Sequence, residues 1–155
     1  MTSKNHQTYT GACLCESVKF QFLNEKVSTI YRCYCSLCRK QSGTGSNAAL
    51  LVRSQHFKWL HGLEYIAKFS KDTGFNSHFC KECGSPVPNA LSNHADVMWI
   101  PLGLVAQDFS IERELSFCVN SQVTWAKPMS GISIQQYKEL PVWQELSDLF
   151  NLEEK

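Results

Sequence analysis

Three cysteines in one short loop, Cys33, Cys35 and Cys38 within the run YRCYCSLCRKQSG (residues 31–43), constrain this chain more than any other feature. Their C-x-C-x-x-C spacing lets a single loop wrap one metal ion and leave a coordination position open. Structural zinc is almost always four-coordinate and closed, whereas catalytic zinc keeps three protein ligands and gives its fourth position to water or substrate. A three-thiolate loop therefore points to chemistry. Eight cysteines could also suggest a disulfide framework, but the spacings C-x-C, C-x-C-x-x-C and C-x-x-C-G are those of metal loops.

Two further pairs, Cys13 with Cys15 and Cys80 with Cys83, supply two ligands each. Neither pair closes a tetrahedron alone; together they make a Cys₄ set of the kind that clasps distant strand ends around structural zinc. Gly84 directly after Cys83 allows the tight turn such a half-site needs. Two zinc ions are expected, the second in a more labile site. Two alternatives stand beside the open three-cysteine site: a histidine, with His61, His78 and His94 as candidates, closes it, or it is empty or oxidised. Arg39 and Lys40 follow Cys38 and read either as solvated charges or as cations that keep the thiolates ionised and attract an anionic substrate.

With 155 residues the chain is expected to form a single domain over 1–155. Fifteen Lys and Arg against 14 Asp and Glu give a net charge of +1, which disfavours nucleic acid or an anionic membrane as partner. The polar N-terminus and the lack of a long apolar run predict a soluble, cytoplasmic protein.

The strand rhythm is mostly β. Val18, Phe20 and Phe22 alternate with Lys19 and Gln21 after a glycine turn at Thr10–Gly11, a period of two that marks a half-buried strand. Residues 25–32 read as a second strand delivering Cys33, residues 36–41 as a helical turn ended by Gly43 and Gly45, and residues 46–53 as a buried strand. Short segments over 57–60, 64–69 and 74–79 follow at hairpin-like intervals, then a core strand over 97–105 with Pro101 at an edge or bulge, and a last strand near 115–119. From Pro141 a short amphipathic helix over about 141–152, with Val142, Leu146, Leu149 and Phe150 on one face, is expected to cover one end of the sheet.

Three motifs in order, G-x-C-x-C-x-x-V at Gly11–Val18, C-x-C-S-x-C-R-K-x-x-G at Cys33–Gly43 and F-C-x-x-C-G at Phe79–Gly84, resemble those of the glutathione-dependent formaldehyde-activating enzyme family, to which the centromere protein V group belongs. The likeness continues more faintly to about Leu140. The resemblance implies a zinc-clasped, mainly antiparallel β fold of two small sheets, with structural zinc on Cys13, Cys15, Cys80 and Cys83 and catalytic zinc on Cys33, Cys35 and Cys38. The implied chemistry is that of a carbon–sulfur lyase, the addition of the glutathione thiol to formaldehyde to give S-hydroxymethylglutathione. Ser116 stands where relatives carry a histidine, while Ser121 and Trp125 match a following S-x-x-x-W.

Two other readings compete. The run FCVNS (residues 117–121) resembles the catalytic strand of B-type methionine sulfoxide reductases, with Cys118 as redox nucleophile or, more simply, as a buried small hydrophobe. The other is a non-catalytic zinc module that binds a protein partner. Trp59, Trp99, Trp125 and Trp143 are expected in core and edge packing, with Trp125 singled out by its family-matched position.

Overall fold

The computed structural model describes residues 5–127, 130–150 and 152. In chain order its strands are β1 (Gln7–Ala12), β2 (Lys19–Asn24), β3 (Thr29–Cys33), β4 (Asn47–Arg53), β5 (Phe57–His61), β6 (Ile66–Ser70), β7 (Asn76–Cys80), β8 (Asn89–Leu91), β9 (His94–Pro101) and β10 (Arg113–Phe117). Helix α1 (Ser36–Ser42) follows β3, and helix α2 (Trp143–Phe150) lies near the C-terminus. The mostly β class and the short C-terminal helix agree with the sequence reading, with the strands divided among three sheets. These are β1-β2-β5, β10-β3-β4-β9-β8 and the hairpin β6-β7. All pairings are antiparallel except β10 with β3.

The first two sheets pack face to face. Tyr9, Phe20 and Phe22 from one meet Ile30, Leu50, Val52, Met98 and Ile100 from the other, with Val27 in the connection. The alternation in β2 sets this up, since Phe20 and Phe22 are fully buried while Lys19 stays in solvent. Central β4 is buried on both faces at Ala49 and Leu50 and alternates beyond them, with Val52 buried and Leu51 and Arg53 exposed. A second, smaller cluster joins Val18 and Val87 to Cys13 and Cys80.

Several sequence expectations shift. The glycine turn expected at Thr10–Gly11 is instead the interior of β1. Gly11 pairs with Phe20, and a Cβ there would stand 2.3 Å from the Phe20 ring, so glycine serves close packing and not a turn. Strand β9 starts at His94 and ends at Pro101, with residues 102–104 in a 3₁₀ turn. β9 itself is an interior strand, but Pro101 stands at a local edge of it, with a strand neighbour on one side only. It pairs with Ala49 at the end of β9, beyond the last β8 partner at Trp99. Helix α2 begins two residues after Pro141, and Val142, Leu149 and Phe150 are exposed, so the expected apolar face is not buried. Trp125 and Trp143 are likewise exposed, at 69% and 70%, and do not belong to the core. Among the described residues no helix is long and apolar enough to cross a membrane.

Phe20 is fully buried on the inner face of the first sheet. Within that sheet it stacks on Phe57 of β5 at a ring distance of 5.7 Å and meets the edge of Trp59, its β5 register partner, at 6.2 Å. Phe20→Ala is expected to lower the unfolding free energy by about 3–5 kcal/mol, measured by urea denaturation of the metal-loaded protein. A loss below about 1 kcal/mol would show that the sheets close over the gap.

Candidate metal centres

The pairs Cys13–Cys15 and Cys80–Cys83 meet although they lie far apart in sequence. The sulfurs of Cys13, Cys15, Cys80 and Cys83 all lie within 4.8 Å of one another. Cys15 Sγ stands 3.6 Å from Cys13 Sγ and 3.8 Å from Cys80 Sγ. Thiolates about 2.3 Å from a tetrahedral zinc would stand about 3.8 Å apart, so the set fits such an ion.

Both half-sites are built alike. In each, the first cysteine is buried and its N–H bonds to the carbonyl five residues on, Cys13 to Val18 at 3.1 Å and Cys80 to Ser85 at 2.9 Å. In each, a residue in the left-handed conformation follows the second cysteine, Glu16 at φ +61° and Gly84 at φ +75°. A serine comes next. Ser17 Oγ lies 3.3 Å from Cys15 Sγ, and Ser85 Oγ lies 3.4 Å from Cys83 Sγ. Ser85 also accepts the Leu14 N–H at 3.0 Å, which ties one half-site to the other. Hydrogen bonding to Ser85 holds the Cys83 thiol down to about 5, and Ser17 lowers Cys15. Burial pushes Cys13 up to about 11, partly opposed by the Val18 N–H 3.3 Å from its sulfur.

Cys33, Cys35 and Cys38 form a second group with all three sulfurs within 4.8 Å. Cys33 ends β3, between Asn47 of β4 and Phe117 of β10. The Tyr34 N–H continues the parallel ladder to the Phe117 carbonyl at 3.0 Å. Cys35 is the N-cap of α1, and its sulfur accepts the Cys38 N–H at 3.4 Å. Gly43, at φ +68°, ends the helix as expected. Burial works against the Cys35 thiolate, but hydrogen bonds led by the Cys38 N–H outweigh it and lower the pKa. Burial raises Cys33 and Cys38, and the neighbouring thiols push Cys38 further up.

Among the described residues no histidine or carboxylate joins the three sulfurs. His61 instead lies near the first group, its Nδ1 2.8 Å from the Ser17 carbonyl oxygen. His78 and His94 sit in β7 and β9. The alternative of a closing histidine is therefore not met among the described residues; β7 reaches α1 through Ser77, and His78, the next residue in the strand, alternates to its other face. Cys118 joins neither group; it is exposed, in a left-handed turn after β10, rather than buried. Ser116 is exposed and pairs with Arg32.

Cys38 lines a cavity of about 220 Å³ together with Tyr31, Asn47, Asn89 and Trp99. Gln41 borders it and is held on both sides, donating to Ser77 Oγ at 3.1 Å and accepting from Asn47 Nδ2 at 2.7 Å. This polar tie and the paired serines escaped the sequence reading. A signal for the serines was present, since C-x-S recurs at Cys15–Ser17 and Cys83–Ser85.

The sequence profile of the glutathione-dependent formaldehyde-activating enzyme family matches residues 8–121, a stretch that includes all eight cysteines. The chain belongs to this family. A Halomonas elongata protein named "Putative glutathione-dependent formaldehyde-activating enzyme" is 34% identical over 80 residues, which are 48% of this chain and 51% of that protein. The chain thus spans about half the length of this curated relative. In fold, it is similar to a crystal structure of a Rhodobacter sphaeroides protein, with a TM-score of 0.52 and 19% identity over 66% of this chain and 98% of the other.

The bridging position of Ser85 has a measurable consequence. Ser85→Ala is expected to release metal from the four-cysteine group to a chromogenic chelator about ten-fold faster, with the circular dichroism of the metal-loaded protein retained. An unchanged rate would mean that the hydroxyl does not support the thiolates.

Proposed function

We propose that this chain is a zinc-dependent enzyme of the carbon–sulfur lyase type that joins glutathione to formaldehyde, giving S-hydroxymethylglutathione, and acts in the cytoplasm as one domain. Family membership supports the substrate pair. The observation that carries the reading is a three-sulfur group that no fourth side chain joins among the described residues, with Cys38 in the wall of a cavity.

In this reading Cys13, Cys15, Cys80 and Cys83 hold a structural zinc, and Cys33, Cys35 and Cys38 hold the catalytic one. Zinc held by these three thiolates would supply a Lewis acid that lowers the pKa of an incoming thiol. The chain's own residues do the rest. β3, clamped between β4 and β10, fixes Cys33, while the cap of α1 orients Cys35 and leaves Cys38 facing the cavity. Arg39 and Lys40, next on the helix, favour an anionic substrate beside the net negative charge of a zinc tris-thiolate. The glutathione sulfur forms a bond to the carbonyl carbon as the carbonyl π pair moves to oxygen, which takes up the proton the thiol released. The reverse reaction breaks the same carbon–sulfur bond.

Titration of the doubly cobalt-substituted protein with glutathione tests this. The thiolate-to-cobalt absorption is expected to change saturably, and the change is expected to vanish in Cys35→Ser, which should keep the four-cysteine site loaded. A spectrum indifferent to glutathione would exclude the three-cysteine group as a thiol site.

A further inference from the structure

The face of α1 turned toward the β6–β7 hairpin borders a larger space than the one walled by Cys38. This cavity is about 440 Å³, against about 220 Å³ for the other. Its charged lining residues are Lys40 from α1 and Lys71 from the hairpin turn, with no acidic residue. Among the described residues neither lysine has a carboxylate within ion-pair distance. Much of the remaining wall is apolar, formed by Leu37, Phe69, Phe75 and Phe79. Phe69 keeps 56% of its surface in solvent, although aromatic surface of this size is favourably removed from water.

The hairpin turn sets this arrangement. Lys71 and Phe75 close it by a 2.9 Å backbone hydrogen bond from the Lys71 N–H, and Gly74 at φ +85° supplies the left-handed corner. Phe75 and Gln41 line both cavities, so the larger space adjoins the smaller one across these two side chains. Gln41 is held to Ser77 of the hairpin and to Asn47 of β4, which keeps that shared boundary in place.

Two cations without acidic partners above an aromatic wall match a ligand that carries carboxylate and apolar surface together. A hydroxymethyl group adds one carbon to a thiol and leaves such a wall uncovered. We propose that this cavity selects carboxylate-bearing peptide thiols with an apolar sulfur substituent, making adducts of larger apolar aldehydes better ligands than the formaldehyde adduct. The inference deepens the thiol-site reading above and rests on it for the placement of the sulfur. Lys40 and Lys71 supply the anion contacts, and Phe69 and Phe75 supply the preference for the substituent.

The test uses thioethers, which have no free thiol and cannot react. Calorimetric titration of the zinc-loaded protein with S-methylglutathione and S-hexylglutathione is expected to give at least about ten-fold tighter binding of the hexyl compound. Phe69→Ser, at an exposed position, should reduce the ratio to below about three-fold. Lys71→Gln should weaken both compounds about five-fold and keep their ratio. Equal affinities in the wild type, or a hexyl preference that survives both Phe69→Ser and Phe75→Ala, would overturn the assignment. The cobalt titration separates the two levels. A normal glutathione response without hexyl preference overturns only this inference, whereas a hexyl preference lost in these variants, with no glutathione response, supports the cavity and overturns the enzyme reading.

Discussion

Convergence of four sulfurs from two turns 65 residues apart is the contact on which the arrangement of this chain depends. The turns are near copies of each other, each with a buried first cysteine, a left-handed residue and a serine hydroxyl against the second sulfur. Close packing of thiols is electrostatically unfavourable once they ionise, and burial opposes ionisation further. The chain meets this with opposed environments. Cys13 is pushed up to about 11 by burial, while Ser85 holds Cys83 down to about 5. A cation in the middle removes the conflict by compensating all four thiolates at once, which is why the sulfur set reads as a metal site rather than as a cluster of core cysteines.

The three-sulfur group follows a different plan. All its sulfurs come from one loop, and its position is set by regular backbone rather than by a distant cysteine. β3 lies between an antiparallel and a parallel neighbour, so the strand end at Cys33 has limited freedom. The helix that begins directly after Cys35 turns a cysteine into an N-cap, so one backbone amide serves both the helix terminus and a thiolate. With no side chain from elsewhere completing the group among the described residues, it faces a cavity, and the surroundings of that cavity decide what fits. Those surroundings come from the second sheet at Tyr31, Asn47, Asn89 and Trp99, with Gly74, Phe75 and Asn76 of the hairpin on another side.

Much of this was legible in one dimension. The alternation in β2, the apolar run of β4 and the glycine that stops α1 follow from local periodicity and backbone preference, which act over a few residues. Division of the cysteines into a four-set and a three-set followed from ligand arithmetic. The less visible features are those in which a local signal had two meanings. Gly11 reads as a turn but makes room for the Phe20 ring, a partner nine residues away. Trp125 and Trp143 read as packing residues but lie on the surface, because the described C-terminal segment does not bury its apolar side chains against the sheets. The three candidate histidines were equally plausible as ligands on spacing, and only the folded arrangement shows that none of them joins the three sulfurs.

The sequence by itself determined how the cysteines group, the mostly β class and the family, because spacing within a loop and periodicity within a strand are properties of neighbouring residues. Tertiary structure alone decided that the two distant pairs meet at sulfur distances suited to one ion, that no histidine completes the second group among the described residues, and that Lys71 and three phenylalanines stand across a cavity from α1. These are relations between segments joined through sheet register and side-chain packing. No window of sequence short enough to read locally contains both partners.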